Sequence, residues 1–241
     1  MSTELQGADL FQRKHHNDIL NALRCLDGDL LLDAECYFGG GTAIVLNLGE
    51  YRESVDIDFL CASKEGYRKL RQALWGTSDI TGLLLPDAEL QTLRDVRVDQ
   101  YGIRTLIGTA DVSIKFEIVR EARIQLAGEM DERLGVPVLT RDCMYAEKLL
   151  ANADRWADKA VLNRDILDLS MMISRWGAIP GEAWDIAEGA YGDTARKAYD
   201  KAITRIRDTV WLNKCMADMG MEPDLEGEIL ALHGGPLDKD A

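Results

Sequence analysis

The spacing of apolar residues changes character near residue 138. Before that point two segments alternate apolar and polar residues. Val55-Asp56-Ile57-Asp58-Phe59-Leu60 is one. Asp111 to Val119 is the other, with Val112, Ile114, Phe116 and Ile118 on one face and Asp111, Ser113, Lys115 and Glu117 on the opposite face. A period of two is the signature of a half-buried strand. From Thr140 to about Met219 the spacing is helical almost throughout, with breaks near Asn163, 177–181 and Gly192. Such a chain is neither all-α nor all-β. The pattern predicts an α/β architecture: a small mixed sheet flanked by helices over 1–138, then an all-helical domain over 139–220. Residues 221–241 read as a weak helix and a loose tail. A ligand cleft is expected at the junction, the usual place for one.

Shorter signals fill in the first half. Leu10, Phe11, Ile19, Leu20, Leu23 and Leu26 predict a helix within 8–26. Cys36-Tyr37-Phe38 predicts a short strand that ends at Gly39-Gly40-Gly41, and Thr42–Leu48 a helix stopped by Gly49. Residues 65–75 read as helix, and 79–110 as strands and turns.

Cys25, Cys36, Cys61, Cys143 and Cys215 are widely spaced and include no Cys-x-x-Cys pair, so a disulfide scaffold or structural zinc is not expected. The three histidines form no zinc-protease pattern. The polar N-terminus and the lack of a long apolar run predict a soluble, cytoplasmic protein with no membrane partner. With 42 acidic residues against 28 basic ones, the net charge of −14 excludes a uniformly basic grip on nucleic acid. Lys197, Lys201 and Arg205 form the best local basic stripe, a place for RNA or an acidic partner. Interleaved Asp193, Asp200 and Asp208 favour an ordinary solvated face instead.

The chemistry-bearing residues lie around the first alternating strand. Asp56 and Asp58, two apart, share a face about 6–7 Å from each other along the backbone. An isolated Asp-x-Asp is most often a solvent-facing strand edge. Two carboxylates so placed are also natural ligands for a hard divalent cation. Shortly before them Gly40-Gly41-Thr42 separates a strand from a helix, where backbone N–H groups and a hydroxyl can cradle phosphate. The plainer reading is a tight turn with Thr42 as helix cap. The element is neither a P-loop nor a Rossmann fingerprint. Glu117, off the core face of the second strand, is the candidate third acid. Lys115 is a candidate phosphate contact, and Arg52 and Ser54 stand where they would brace the loop before the pair.

Taken in order, four motifs resemble one family. Gly40-Gly41-Thr42-Ala43, Arg52-x-Ser54-x-Asp56-Ile57-Asp58-Phe59, Thr140-x3-Met144-Tyr145-Ala146-x-Lys148 and Arg164-Asp165-Ile166-Leu167-Asp168 are similar to those of the nucleotidyltransferase AbiEii/AbiGii toxin family, within the polymerase-beta-like nucleotidyltransferase superfamily. Met144 and Tyr145 stand where the family usually has leucines, and nothing beyond about Ser174 carries the resemblance.

The resemblance implies a Mg2+- or Mn2+-dependent enzyme, with Asp56 and Asp58 as metal ligands and Glu117 completing the site. It would move a nucleoside monophosphate from a nucleoside triphosphate to RNA, perhaps tRNA, or to a protein. The enzyme would be the toxin of a toxin–antitoxin or phage-defence pair, with a cognate antitoxin as partner. Lys148 would contact the triphosphate, and Asp165 would lie beside it as pairing partner or base. Arg164 and Asp168, at i and i+4, fit a helical ion pair. Two other functions stay open: adenylylation of a small aminoglycoside-like molecule, and a nucleotide- or partner-binding module without catalysis.

Overall fold

The computed structural model describes residues 10–108 and 112–237. The chain opens with helices α1 (Lys14–Arg24) and α2 (Gly28–Asp33), strand β1 (Cys36–Gly39), helix α3 (Gly40–Asn47), strand β2 (Asp56–Cys61) and helix α4 (Lys64–Ala73). Five strands follow: β3 (Gln91–Val98), β4 (Gly102–Gly108), β5 (Ser113–Arg120), β6 (Gly128–Asp131) and β7 (Val136–Leu139). The remainder is helical: α5 (Arg141–Arg155), α6 (Arg164–Trp176), α7 (Gly181–Tyr191), α8 (Asp193–Ile206), α9 (Thr209–Asp218) and α10 (Leu225–Leu232). The α/β architecture read from the sequence is the one observed. Asp111, the first residue of the second alternating run, lies outside the described residues.

One mixed sheet orders its strands β3-β4-β5-β2-β1-β7-β6. β2 pairs antiparallel with β1 and parallel with β5. The β2–β5 register sets Asp56 beside Lys115 and Asp58 beside Glu117. Alternation sends the intervening residues to the other face. There Phe59 packs between Phe38 and Phe116, with ring centres 5.5 and 6.0 Å apart. The apolar face of these strands is thus buried, which leaves the acidic face to line a cleft.

Helix α5 forms the far wall. Thr140 caps it, its hydroxyl accepting from the Cys143 N–H at 3.5 Å. One core of buried residues runs from Ile19 in α1 through the sheet to Ile229 in α10. The predicted first helix begins only at Lys14. Before it, Phe11 N–H donates to Asn17 Oδ1, and the N–H groups of Gln12 and Arg13 donate to the Glu50 carboxylate. These bonds satisfy the backbone in a non-helical path. The segment read as a weak helix holds α10, where Glu228 pairs with Arg175 at 2.7 Å and Ile229 is buried. No helix among the described residues is long and apolar enough to cross a membrane.

Two of the three turn glycines are needed for close approach. Gly40 has φ +68°, and a Cβ there would meet Asp58 Oδ2 at 3.1 Å. At Gly41 a Cβ would stand 2.4 Å from Arg52 Nη2. Gly41→Ala is therefore expected to destabilise the protein by about 1–3 kcal/mol through overpacking. Gly189→Ala, in α7 with nothing within 4 Å of its Cβ, should instead stabilise by about 0.5–1 kcal/mol. Urea denaturation midpoints of the two variants check both signs.

Candidate active site

A cleft of about 310 Å³ separates the polar face of β2 and β5 from α5 and the start of α6. Gly40, Gly41 and Thr42 close one side. Asp56, Asp58, Lys115 and Glu117 form the floor, and Glu147, Lys148, Arg155 and Arg164 look across at them.

The turn is built from both sides. α3 starts without a side-chain cap. Thr42, 1% exposed, points away from the cleft opening. Its hydroxyl donates to the Asp56 carbonyl at 2.5 Å and meets Ser54 Oγ at 2.7 Å. Thr42 and Ser54 thus brace the start of β2, and the hydroxyl expected to face a phosphate is engaged within the chain.

On the floor, burial raises the Asp58 carboxyl above its ordinary value, and the charges of Asp56 and Glu117 add to the rise. Lys115 and Lys148 oppose it. Glu117 differs from the third ligand that the sequence suggests. Its Oε1 accepts from Arg104 Nε at 2.5 Å and its Oε2 faces Lys115 Nζ at 2.8 Å. Burial alone would raise the Glu117 carboxyl, but these two cations hold it below its ordinary value. Among the described residues no three His, Cys, Asp or Glu side chains stand gathered for one metal ion. The fitting donor set is thus the pair Asp56 and Asp58, a pair of hard oxygen donors of which one is destabilised as an anion. A divalent cation that keeps water and phosphate ligands needs no more than two carboxylates.

Opposite the floor lies a buried ion network. Lys148, 4% exposed, reaches Asp165 at 3.0 Å and Asp168 at 2.7 Å. Arg52 grips Asp168 with two bonds, Nε to Oδ1 at 2.7 Å and Nη2 to Oδ2 at 2.9 Å. The Tyr51 hydroxyl donates to the same carboxylate at 2.5 Å. Arg155 binds Asp165 in the same two-pronged way, at 2.6 and 2.9 Å. Burial would raise both carboxyls. Arg52 and Lys148 hold Asp168 far below the usual carboxylate range, and Lys148 and Arg155 hold Asp165 down as well.

Asp168 is therefore not the helical partner of Arg164, as their spacing suggests. Its partners come from the loop before β2 and from α5. Arg164 is exposed at the cleft mouth and makes no ion pair among the described residues. The cleft also holds Glu121, Arg123, Glu147 and Arg155, none of which the motifs single out. A signal existed: Met144, Lys148, Ala151 and Arg155 share one face of α5 at i, i+4, i+7 and i+11, with Glu147 beside them. The basic stripe on α8 is largely spent within the protein. Lys197 pairs with Asp193, Lys201 lies 5.4 Å from the Trp156 ring centre, and Arg205 donates to the Trp156 and Ala157 carbonyls.

The sequence profile of the family described as "Nucleotidyl transferase AbiEii toxin, Type IV TA system" matches residues 22–226. No curated protein matches the chain. Among solved structures, JHP933 from Helicobacter pylori is 16% identical, with TM-score 0.37, over 85% of this chain and 98% of that one. An antigenic nucleotidyltransferase-like protein from Paracoccidioides brasiliensis is 15% identical, with TM-score 0.42, over 88% and 92% of the two chains.

Arg52→Ala leaves Asp168 buried beside one fewer cation, and should cost about 3–5 kcal/mol of stability. A shift of the chemical-denaturation midpoint checks this. The pH dependence follows from the sign of the Asp168 shift. Its folded-state value lies below the unfolded one, so its contribution is complete above about pH 4 and is lost as pH falls further. Thermal melts should show wild-type Tm dropping through this acid window more steeply than that of Asp168→Asn.

Proposed function

The chain belongs to the AbiEii nucleotidyl transferase toxin family, and from that premise we propose that it moves a nucleoside monophosphate from a nucleoside triphosphate to an RNA or protein hydroxyl. The observation that carries this reading is the meeting in one cleft of the Gly40–Gly41 turn, Asp56, Asp58, Lys115 and Lys148. In the reaction the acceptor oxygen bonds to the α-phosphorus. The bond from that phosphorus to pyrophosphate breaks, and the hydroxyl proton passes to water.

Each side chain has a role its surroundings support. The backbone of Gly40 and Gly41, at a helix start, offers N–H groups to the phosphates. Asp56 and Asp58 hold a divalent cation, Mg2+ or Mn2+, which would neutralise charge on the triphosphate and leaving group. Glu117 takes a share in fixing Lys115, whose ammonium it holds beside Asp56 and Asp58. Burial would lower Lys115, but the bond to Glu117 and the charges of Glu117, Asp58 and Asp56 raise it, so it stays cationic. Lys148 is positioned by Asp165 and Asp168 as a point charge facing the cleft. Asp165, bonded to Lys148 and Arg155, is a pairing partner and not a base.

A cognate antitoxin is the proposed protein partner, as the toxin–antitoxin description of the family implies. The net charge of −14 favours a second reading, a small cationic acceptor. In that case expression would protect cells from an aminoglycoside and would not arrest growth.

The test is incubation with each of the four labelled nucleoside triphosphates, Mg2+ or Mn2+, and total RNA or protein. Label should move to one acceptor. Asp58→Asn should lower the rate by about 10²–10³-fold, the usual loss when one electrostatic group of a transfer site is removed. Chelation should abolish transfer. No transfer above the Asp58→Asn level with any of the four would overturn the reading.

A further inference from the structure

Beyond the acid pair the cleft changes character. Two residues on from Asp58 and Glu117, the same face of the sheet carries Leu60 and Val119. Met144 and Ala151 line the cleft from α5. Past this apolar strip stands a polar end wall of Glu121, Arg123 and Glu147. Glu121 lies four residues after Glu117, about 13 Å along an extended strand. That is room for a ribose and a base beyond a phosphate held at the Gly40–Gly41 turn.

Two of the three wall side chains are fully engaged. The Arg123 guanidinium donates to both Glu121 oxygens, to Asp154 Oδ2 at 3.1 Å and to the Tyr191 hydroxyl at 3.0 Å. Glu147 is different. Its Oε1 is buried with no hydrogen-bond partner. Its Oε2 has only a long contact to Arg123 Nη2, at 3.5 Å. The side chain is 11% exposed. Buried carboxyl oxygens without partners are rare, because desolvation goes uncompensated.

Burial, reinforced by the Glu121 charge, raises the Glu147 carboxyl well above the usual carboxylate range, against the pull of Arg123 and Lys148. The two glutamates thus share one proton at neutral pH. A proton held between them still leaves Glu147 an acceptor oxygen without a close donor. The wall is therefore rich in acceptors and lacks free donors.

We propose that Leu60, Val119 and Met144 enclose the nucleobase, and that Glu147 selects a base bearing an exocyclic amino group: adenine, cytosine or guanine over uracil. This rests on the nucleotidyltransferase reading above. An amino group supplies the donor that Glu147 lacks. Uracil places carbonyl oxygens on either side of its one ring N–H, so acceptor faces acceptor. One well-made polar contact to a base edge gives about tenfold discrimination.

Calorimetric titration of the full chain with ATP, CTP, GTP and UTP, each with Mg2+, tests the proposal without any acceptor. At least one of the three amino-bearing nucleotides should bind about tenfold tighter than UTP. Glu147→Leu should bring that nucleotide to the UTP level and leave UTP itself unchanged. Glu147→Gln, which keeps an acceptor oxygen and a donor for Glu121, should retain the preference. A merely structural Glu147 would change stability and leave the ratio alone. Equal binding of all four, or a ratio unmoved in Glu147→Leu, overturns base selection and leaves the transferase reading standing. Binding of none overturns both.

Discussion

The cleft exists because a buried ion network ties the sheet to the helices. Arg52 comes from the loop before β2, Lys148 and Arg155 from α5, and Asp165 and Asp168 from α6. Asp168 and Arg52 are joined across more than a hundred residues of sequence. Desolvating such charges is costly, and only close, multiple bonds offset it. Here each aspartate has two cationic partners, and Asp168 has the Tyr51 hydroxyl besides. Three cations against two carboxylates leave an excess of positive charge in the wall opposite Asp56 and Asp58. That is the electrostatic setting an anionic substrate with a bound cation requires.

The small residues of the turn serve the same arrangement. Gly41 leaves the space that the Arg52 guanidinium fills, and Gly40 lets the chain turn against the Asp58 carboxyl. Thr42 and Ser54 then fasten the turn to the first residue of β2. Phosphate cradle, acid pair and ion network therefore share side chains and cannot be altered one at a time.

Much of this was legible in the sequence, for physical reasons. Strand alternation separates Asp56 and Asp58 from Ile57 and Phe59 whatever the rest of the fold does. The ordered motifs pointed to Lys148 and Asp165, which lie together across the cleft from the pair. The partner of Asp168 was not legible. Local spacing offered Arg164, whereas Arg52 wins through a tertiary contact that no helical periodicity encodes. Glu117 carried the right charge on the right face, but its cationic neighbours Arg104 and Lys115 become visible only with the β4–β5 pairing. Glu147 was hidden for a third reason. A charged residue next to a helix lysine looks like solvated surface until α5 is laid on the sheet.

The central claim is that this cleft holds a metal-loaded triphosphate between the acid pair and the ion network. A crystal grown with Mn2+ and a non-hydrolysable nucleoside triphosphate tests it most directly. The account predicts an anomalous manganese peak bonded to Asp56 and Asp58, with phosphates at the Gly40–Gly41 turn. Nucleotide bound elsewhere, or a bare acid pair at saturating ligand, would contradict it.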